Sequence, residues 1–205
     1  MALGTYGGLK TAIASWMMDS GSVVDSTVAA DIVTLSQALF NSRVRCREMI
    51  TTADLTPTSN VCTLPTNYAQ WIRVVEKASI RRPLEHITPD QADQRYASRP
   101  SGLGCHFMLV GSSLTVLPLS SNDVELTYYQ RLAAFSADED YDWLLTRYPH
   151  IYLCAGQMFA AEFLKDSGEY AKHAQALSAY VDFLNGQDSA AQFANTPVQP
   201  GGLRP

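Results

Sequence analysis

The hydrophobic periodicity of the chain changes twice, and this change constrains the fold more than any other feature of the sequence. Up to about residue 50, and again after about residue 136, apolar residues recur at the three- to four-residue spacing of amphipathic helices. Between these regions, short runs rich in β-branched and aromatic residues alternate with turn residues, as in strands. The sequence therefore predicts an α+β, mainly α fold, with a helical bundle from both ends of the chain and a central antiparallel β lobe inserted.

The same pattern predicts four segments. Residues 1–50 form the N-terminal half of the helical bundle, residues 51–135 the β-rich insert lobe, and residues 136–194 the C-terminal half of the bundle. Residues 195–205 contain three prolines and two glycines, a composition that does not favour regular structure. This last segment is predicted to be a flexible C-terminal arm.

Apolar stripes at the two ends of the chain predict four long helices. They run from about Tyr6 to Met18, from Ser26 to Met49, from Pro149 to Lys165 and from Glu169 to Phe193. Trp16 lies on the stripe of the first helix, and Trp143 precedes two leucines. Both tryptophans are therefore predicted to be core residues.

Strand and turn signals occupy the middle of the chain. Thr88-Pro89-Asp90 combines a capping Thr, a Pro at the first helical position and an acid in the first turn, which predicts the start of a short helix. Gly111-Ser112-Ser113 predicts the turn of a β-hairpin. The predicted strands run from about Asn60 to Pro65, Tyr68 to Lys77, Cys105 to Val110, Leu114 to Leu117 and Val124 to Gln130.

Charge is scarce in this chain, and its balance is acidic. Charged residues make up 17% of the sequence, whereas ordinary globular chains contain about 25%, which favours burial of part of the surface against partners. Fifteen Lys and Arg against twenty Asp and Glu give a formal net charge of −5. A monomer this acidic is a poor candidate for tight sequence-independent nucleic-acid binding, because that binding depends on phosphate neutralisation. An acidic ring, by contrast, suits a pore through which DNA slides without sticking.

No catalytic, metal-binding or cofactor-binding site is predicted. Cys105 and His106, the only adjacent Cys and His, point to opposite faces of a strand and cannot form a nucleophile–base pair with each other. The sequence contains neither the zinc-binding histidine spacings nor the phosphate-loop and nucleophile-elbow motifs. A small hydrolase that uses Cys105 or Cys154 stays an alternative, although Cys154 lies in an apolar run.

The cysteines, the N-terminus and the apolar runs all indicate the compartment in which the chain folds. The four cysteines are scattered without a CxxC motif, which predicts reduced thiols rather than disulfides. The N-terminus lacks the basic start and apolar run of a signal peptide, and no stretch approaches the ~18 apolar residues of a membrane span. We therefore expect a protein that folds in a reducing cytoplasm.

Asp138, Glu139, Asp140 and Asp142 form one dense acidic run. Carboxylates are the ligands that Ca²⁺ prefers, but the spacing of an EF-hand loop is missing. The run also precedes a helix-like segment whose N-terminus favours acids. We expect a solvated acidic loop rather than a metal site.

Two groups of residues are candidates for partner binding. Arg43, Arg45 and Arg47 cluster at the predicted end of the second helix, with Arg43 and Arg47 on one face at i, i+4. They either stabilise the helix C-terminus or contact an acidic partner surface or DNA backbone. The second group lies in the C-terminal arm, which we expect to become ordered on a partner or on a neighbouring subunit. Its candidate residues are Pro197, Val198, Gln199, Leu203 and Arg204.

Seven short stretches carry a pattern through their order and spacing over about residues 5 to 165. They are Thr5 to Lys10, Arg43 to Met49, Thr51 to Leu55, Leu64 to Tyr68, Ile87 to Gln91, Tyr128 to Leu132 and Trp143 to Leu153. In this order they resemble the tailed-bacteriophage head-to-tail adaptor (connector) protein family. The cysteines and the segment after Asn195 are not part of the pattern.

The resemblance implies a structural virion protein without catalytic residues or cofactors, usually present as a homo-oligomeric ring of twelve copies. One face of the ring would meet the portal protein and the other the tail or nozzle protein, in the head–tail neck of a virion assembled in the host cytoplasm. Genomic DNA would pass through the channel without specific binding, and no membrane contact is expected. On sequence alone, a small phage or bacterial nucleic-acid-binding regulatory module and the cysteine hydrolase remain as alternatives.

Overall fold

The structure is a computed structural model of the 205-residue chain, and it describes residues 3–17 and 24–193. The chain divides into two compact units, one comprising Met1–Glu48 with Leu132–Pro205 and the other comprising Met49–Arg131. We call the first the helical unit and the second the β-rich unit, because long helices dominate one and strands the other. The predicted mixture of helices and strands is confirmed.

Six α-helices lie in the described part of the chain. They are α1 (Tyr6–Trp16), α2 (Ser26–Arg43), α3 (Pro89–Arg95), α4 (Trp143–Arg147), α5 (Pro149–Phe163) and α6 (Ser167–Phe193). α3 belongs to the β-rich unit, and the other five belong to the helical unit. Among these helices, none has the length and apolar character needed to cross a membrane.

Side-chain caps explain where three of the helices begin. Thr5 caps α1, and Asp25 Oδ1 accepts hydrogen bonds from two backbone N–H groups at the start of α2, at 2.9 and 2.8 Å. Thr88 and Gln91 form a capping box in front of α3, and Pro89 is its first residue. The predicted start of this helix is confirmed.

α2 ends earlier than the sequence predicted. The apolar spacing suggested a helix to Met49, but α2 stops at Arg43 and Val44 already has extended backbone. In extended backbone, alternate residues point to the same side, so Val44 and Cys46 can both be buried. A single 3-10 turn, Arg47–Met49, then leads into the first strand.

α5 is the central element of the helical unit, where it packs against α1, α2, α4 and α6. Leu9 and Ile13 of α1 are completely buried. The ring of Phe40 in α2 meets that of Tyr152 in α5 edge-on, with a centroid distance of 4.9 Å. The apolar faces of these helices therefore form the core of this unit.

The prediction that Trp16 is a core residue is wrong. Its side chain is 58% exposed, because α1 ends at Trp16 itself and the buried residues of its stripe, Leu9 and Ile13, lie in earlier turns. Trp143, the first residue of α4, is half-buried rather than buried.

Eight strands form two four-stranded sheets in the β-rich unit. The strands are β1 (Ile50–Leu55), β2 (Val61–Thr63), β3 (Tyr68–Lys77), β4 (Arg81–Pro83), β5 (Glu85–His86), β6 (His106–Val110), β7 (Ser113–Leu117) and β8 (Val124–Gln130). One sheet has the order β1-β8-β3-β4 and the other β2-β7-β6-β5. Val74 and Leu126 of the first sheet share one apolar core with Phe107 and Leu114 of the second.

Strand pairing confirms some features of the predicted lobe and corrects the rest. The β6–β7 hairpin forms at the predicted turn, with Val110 opposite Ser113. β1, which the sequence did not predict, pairs antiparallel with β8, and Ile50 lies opposite Tyr129. The lobe is not purely antiparallel, since β5 and β6 are parallel. α3 lies between these two strands in the sequence, and parallel neighbours require such a crossover connection.

Candidate interaction surfaces

The three arginines that the sequence singled out do not share one helical face. α2 ends at Arg43, so the predicted i, i+4 relationship between Arg43 and Arg47 is wrong. Arg45 Nη1 donates to the carbonyl oxygens of Asn41 at 2.9 Å and Val44 at 2.6 Å. These carbonyls lie at the C-terminal end of α2, where acceptors are left over and positive charge is favoured. Arg45 therefore caps the helix.

Asn185 of α6 holds the same end of α2. Its Oδ1 accepts from the backbone N–H of Arg45 at 2.8 Å, and its Nδ2 donates to the carbonyl oxygen of Arg43 at 3.1 Å. One amide side chain thus bonds to the backbone on both sides of Val44. The side chains of Arg43 and Arg47 on this segment are exposed.

Arg147 adds a third exposed arginine at this end of the helical unit. It is the last residue of α4, and its Nη1 lies 2.5 Å from Glu48 Oε1 with the side chain still 59% exposed. Glu48 directly follows Arg47, so Arg43, Arg47 and Arg147 together form what we call the basic surface. No sequence pattern pointed to Arg147, because it is 99 residues from Glu48 and α4 was not predicted.

The acidic run from Asp138 to Asp142 is more than a solvated loop, because its backbone bonds to the start of α1. The carbonyl oxygens of Asp138 and Asp140 accept from the backbone N–H groups of Gly7 and Tyr6, each at 2.9 Å. These N–H groups belong to the first two residues of α1, and N–H groups in the first turn of a helix have no acceptor within the helix. The run therefore supplies the first turn of α1 with hydrogen-bond acceptors.

Two carboxylates of this run also have fixed partners. Asp138 Oδ1 lies 2.7 Å from Lys10 Nζ. Asp140 Oδ2 accepts from the backbone N–H groups of Ala137 at 2.8 Å and Ser136 at 2.6 Å. These donors stabilise the ionised carboxylate and hold the pKa of Asp140 below its usual value.

A second charged surface forms where this run meets the start of α2. Asp25, Asp138 and Lys10 line one open pocket of about 370 Å³, whose other lining residues lie in α1 and at the start of α2. Asp25, Asp138 and Glu139 are exposed. We call Asp25, Asp138, Glu139 and Asp140 the acidic surface.

Asp142 is half-buried, and its carboxyl group differs from those of its neighbours because it bonds to a side chain of α5. Tyr152 Oη donates to Asp142 Oδ2 at 2.5 Å, and the backbone N–H of Leu145 donates to Asp142 Oδ1 at 2.7 Å. Gln37 also bonds to this carboxyl group, and its Nε2 donates to the carbonyl oxygen of Ala133 at 3.0 Å. Burial raises the pKa of Asp142 despite these donors, and burial raises the pKa of Tyr152 far above its usual value. The network fastens the segment before α4 to α2 and α5.

The β-rich unit contains one fully buried carboxylate, Glu76. Its Oε2 accepts from the backbone N–H of Gly104 at 2.9 Å, and its Oε1 accepts from Asn122 Nδ2 at 3.1 Å and from the Ser120 hydroxyl. The side chain therefore ties β3 to two loops. Within the described residues, every buried side-chain nitrogen and oxygen has a hydrogen-bond partner.

The cysteines and histidines form no recognisable reactive site. His106 Nδ1 lies 2.7 Å from the Tyr96 hydroxyl, and its Nε2 lies 3.3 Å from Arg95 Nη1. Cys105 is exposed, whereas Cys154 is buried and burial raises the pKa of its thiol, which disfavours the nucleophilic thiolate. All four cysteines lie in the described part of the chain, and none forms a disulfide. In residues 3–17 and 24–193, no three His, Cys, Asp or Glu side chains are grouped closely enough to hold a metal ion.

The remaining predicted partner-binding residues belong to the C-terminal arm. Pro197, Val198, Gln199, Leu203 and Arg204 lie outside the described residues. Their contact with a portal or with a neighbouring subunit stays a prediction.

The polar clusters described above hold segments of the chain together, and the two charged surfaces lie at the two ends of α2. The family model described as SU10 adaptor protein matches residues 4–201, which span both units. The chain belongs to this family, a family of phage head-to-tail adaptors. The resemblance seen in the sequence is thus confirmed, and the chain is a structural component of the phage particle. Among curated proteins, no match was found.

Proposed function

We propose that the chain assembles as a ring, with twelve copies as the expected number, that joins the portal protein to the tail or nozzle protein. The observation that carries this proposal is the family match, because it covers both the helical unit and the β-rich unit. A match to one unit alone would indicate only a shared module. No catalytic step belongs to the proposed function.

The distribution of charge supports passage of DNA through such a ring. The β-rich unit contains seven Lys and Arg and seven Asp and Glu, so the whole formal charge of −5 belongs to the helical unit. Twelve copies would bring about −60 formal charges to one assembly. Negative charge repels DNA phosphates, so DNA would slide through a ring of this kind without specific binding.

Exposed apolar side chains are available for contact in both units. Single exposed apolar side chains are ordinary on a soluble protein, so they are compatible with partner contacts without marking a particular surface. Both units expose large apolar side chains: Trp16, Tyr141, Phe163 and Phe183 in the helical unit, and Ile80, Leu103 and Val110 in the β-rich unit. A subunit that contacts neighbours, a portal and a tail protein has a use for exposed apolar residues in both units.

The proposal can be tested with the portal protein encoded by the same phage genome. The purified chain would be mixed with portal assemblies and the complex imaged by cryo-electron microscopy. We expect a ring of added density on one face of the portal, and the chain should also be found by mass spectrometry in purified virions. A chain that is missing from virions and does not bind the portal at tens of micromolar would contradict the proposal.

A further inference from the structure

The two ends of α2 carry surfaces of opposite charge. The helix has 18 residues, which places its ends about 27 Å apart at ~1.5 Å per residue. Its N-cap, Asp25, belongs to the acidic surface, and its last residue, Arg43, belongs to the basic surface. Both surfaces lie within the helical unit.

Capping of α2 accounts for only part of this separation of positive and negative charge. Asp25 and Arg45 bond to the free backbone groups at the two helix ends, as the helix dipole favours. Neither Arg147 nor Glu139 lies on α2, yet Arg147 adds positive charge to that of Arg43, and Glu139 adds negative charge to that of Asp25. Four of the eight Lys and Arg in the acidic helical unit are grouped at the C-terminal end of α2: Arg43, Arg45, Arg47 and Arg147.

We propose that the basic surface of one copy docks onto the acidic surface of a second copy of this chain. The inference rests on the proposed ring, to which it adds the contact between neighbours. Because the two surfaces are different and lie at opposite ends of α2, the contact is heterologous. Contacts of this kind repeat head to tail and close into a ring when the rotation between copies permits.

The two surfaces match in charge and in the way they are built. On the basic surface, Glu48 lies 2.5 Å from Arg147. On the acidic surface, Lys10 lies 2.7 Å from Asp138. On each surface, one residue of opposite charge thus holds one side chain in place. Arginine pairs well with carboxylates across an interface, because its planar guanidinium can donate two parallel hydrogen bonds.

The test uses two charge-reversed variants of the full chain. Arg43→Glu with Arg147→Glu makes the basic surface acidic, and Asp138→Lys with Glu139→Lys makes the acidic surface basic. Each variant gives up one surface ion pair, Arg147 with Glu48 or Asp138 with Lys10. Self-association would be measured by sedimentation velocity at low salt, and circular dichroism would verify that each variant is folded.

We expect each variant alone to associate at least ten-fold more weakly than the wild type. An equimolar mixture of the two should recover association, because each altered surface then meets a complementary one on the other variant. A single chain that carries all four substitutions should recover it as well. Restoration by mixing requires that two different surfaces meet, and a loss of fold cannot produce it.

A matched control reverses two cations elsewhere in the same unit. Lys165→Glu with Lys172→Glu changes the net charge by the same amount as the arginine variant, and Lys172 gives up an ion pair to Glu169 of 2.5 Å. We expect this control to associate as the wild type does.

Several outcomes would overturn the inference. They are a wild type that stays monomeric throughout, variants that associate normally, and a mixture that does not recover. Binding of labelled duplex DNA would be measured at the same salt. If DNA binding depends on Arg43 and Arg147 and self-association does not, the basic surface binds DNA instead. If both variants still form rings on the portal, the proposed contact between copies is wrong, while the proposed function is unaffected.

Discussion

Ile13 of α1 and Gly156 of α5 meet more closely than any side chain at position 156 would allow. A Cβ atom added to Gly156 would lie 2.5 Å from Ile13 Cδ1 and 2.7 Å from Ile13 Cγ1. Ile13 is fully buried, so it has little room to move aside. The absence of a side chain at Gly156 therefore sets the distance at which α1 packs on α5.

Gly156→Ala should destabilise the protein by about 1–3 kcal/mol, the usual range for overpacking a core. A helical Gly→Ala change without a clash should instead stabilise it by up to ~1 kcal/mol. Gly186→Ala in α6 is the matched control, because nothing lies within 4 Å of a Cβ at that position. Urea unfolding measures both, and equal effects of the two changes would show that the α1–α5 contact is not tight.

Tyr152→Phe should lower the free energy of unfolding at neutral pH by about 1–3 kcal/mol, because it removes a donor from the half-buried Asp142 carboxyl group. The difference from the wild type should then shrink as the pH rises above about 10. The pKa of Tyr152 is raised in the folded state, so its contribution is complete below the unfolded-state pKa and is lost as the pH increases beyond it. Denaturant unfolding at pH 8, 10 and 11 measures this, and a pH-independent difference would argue against it.

A thiol reagent at pH 8 should label one cysteine of the folded protein quickly. Cys105 is exposed, while Cys46, Cys62 and Cys154 are buried. Burial also raises the pKa of Cys62 to about 11, which lowers its thiolate fraction further. The other three should react only after unfolding, and Cys105→Ser should remove the fast phase. Rapid labelling of two or more thiols in the folded state would contradict the burial of these three side chains.

Trp16→Ala should change the stability of the free subunit by no more than about 0.5 kcal/mol, as at other exposed positions. Leu9→Ala is the comparison on the same helix, and its complete burial predicts a loss of about 2–5 kcal/mol. Thermal unfolding measures both. A large loss from Trp16→Ala would restore the core assignment that the sequence suggested.

Removal of residues 195–205 should leave the subunit folded and weaken its attachment to the portal. Pro197 and the other prolines of this segment prevent it from joining a helix, while Val198 and Leu203 can pack on a partner in extended form. A full-length control that replaces Val198, Gln199, Leu203 and Arg204 with Gly and Ser separates side-chain contacts from length. Portal pull-down gives the readout, and a truncated chain that binds as well as the full chain would contradict the predicted docking arm.

Local chemistry that is complete within a few residues could be predicted from the sequence. The helix start at Thr88 and the turn at Gly111 contain all the groups that define them, and both formed as predicted. The end of α2 could not be predicted, because Asn185, 142 residues from Arg43, contributes to its cap. The contact between α1 and the acidic run could not be predicted either, because it consists of backbone hydrogen bonds between distant segments, and these leave no pattern in the sequence.

The pairing of β1 with β8 brings the two ends of the β-rich unit close together, and this affects how the unit can be replaced. Ile50 and Tyr129 are opposite each other in the ladder, so the chain departs into the β-rich unit and returns from it at points about 5 Å apart. A segment whose two ends lie close together can be replaced by another such segment without a change in the backbone on either side. A β-rich unit of different sequence could therefore be grafted between residues 49 and 131 as a block, provided that its own ends are equally close.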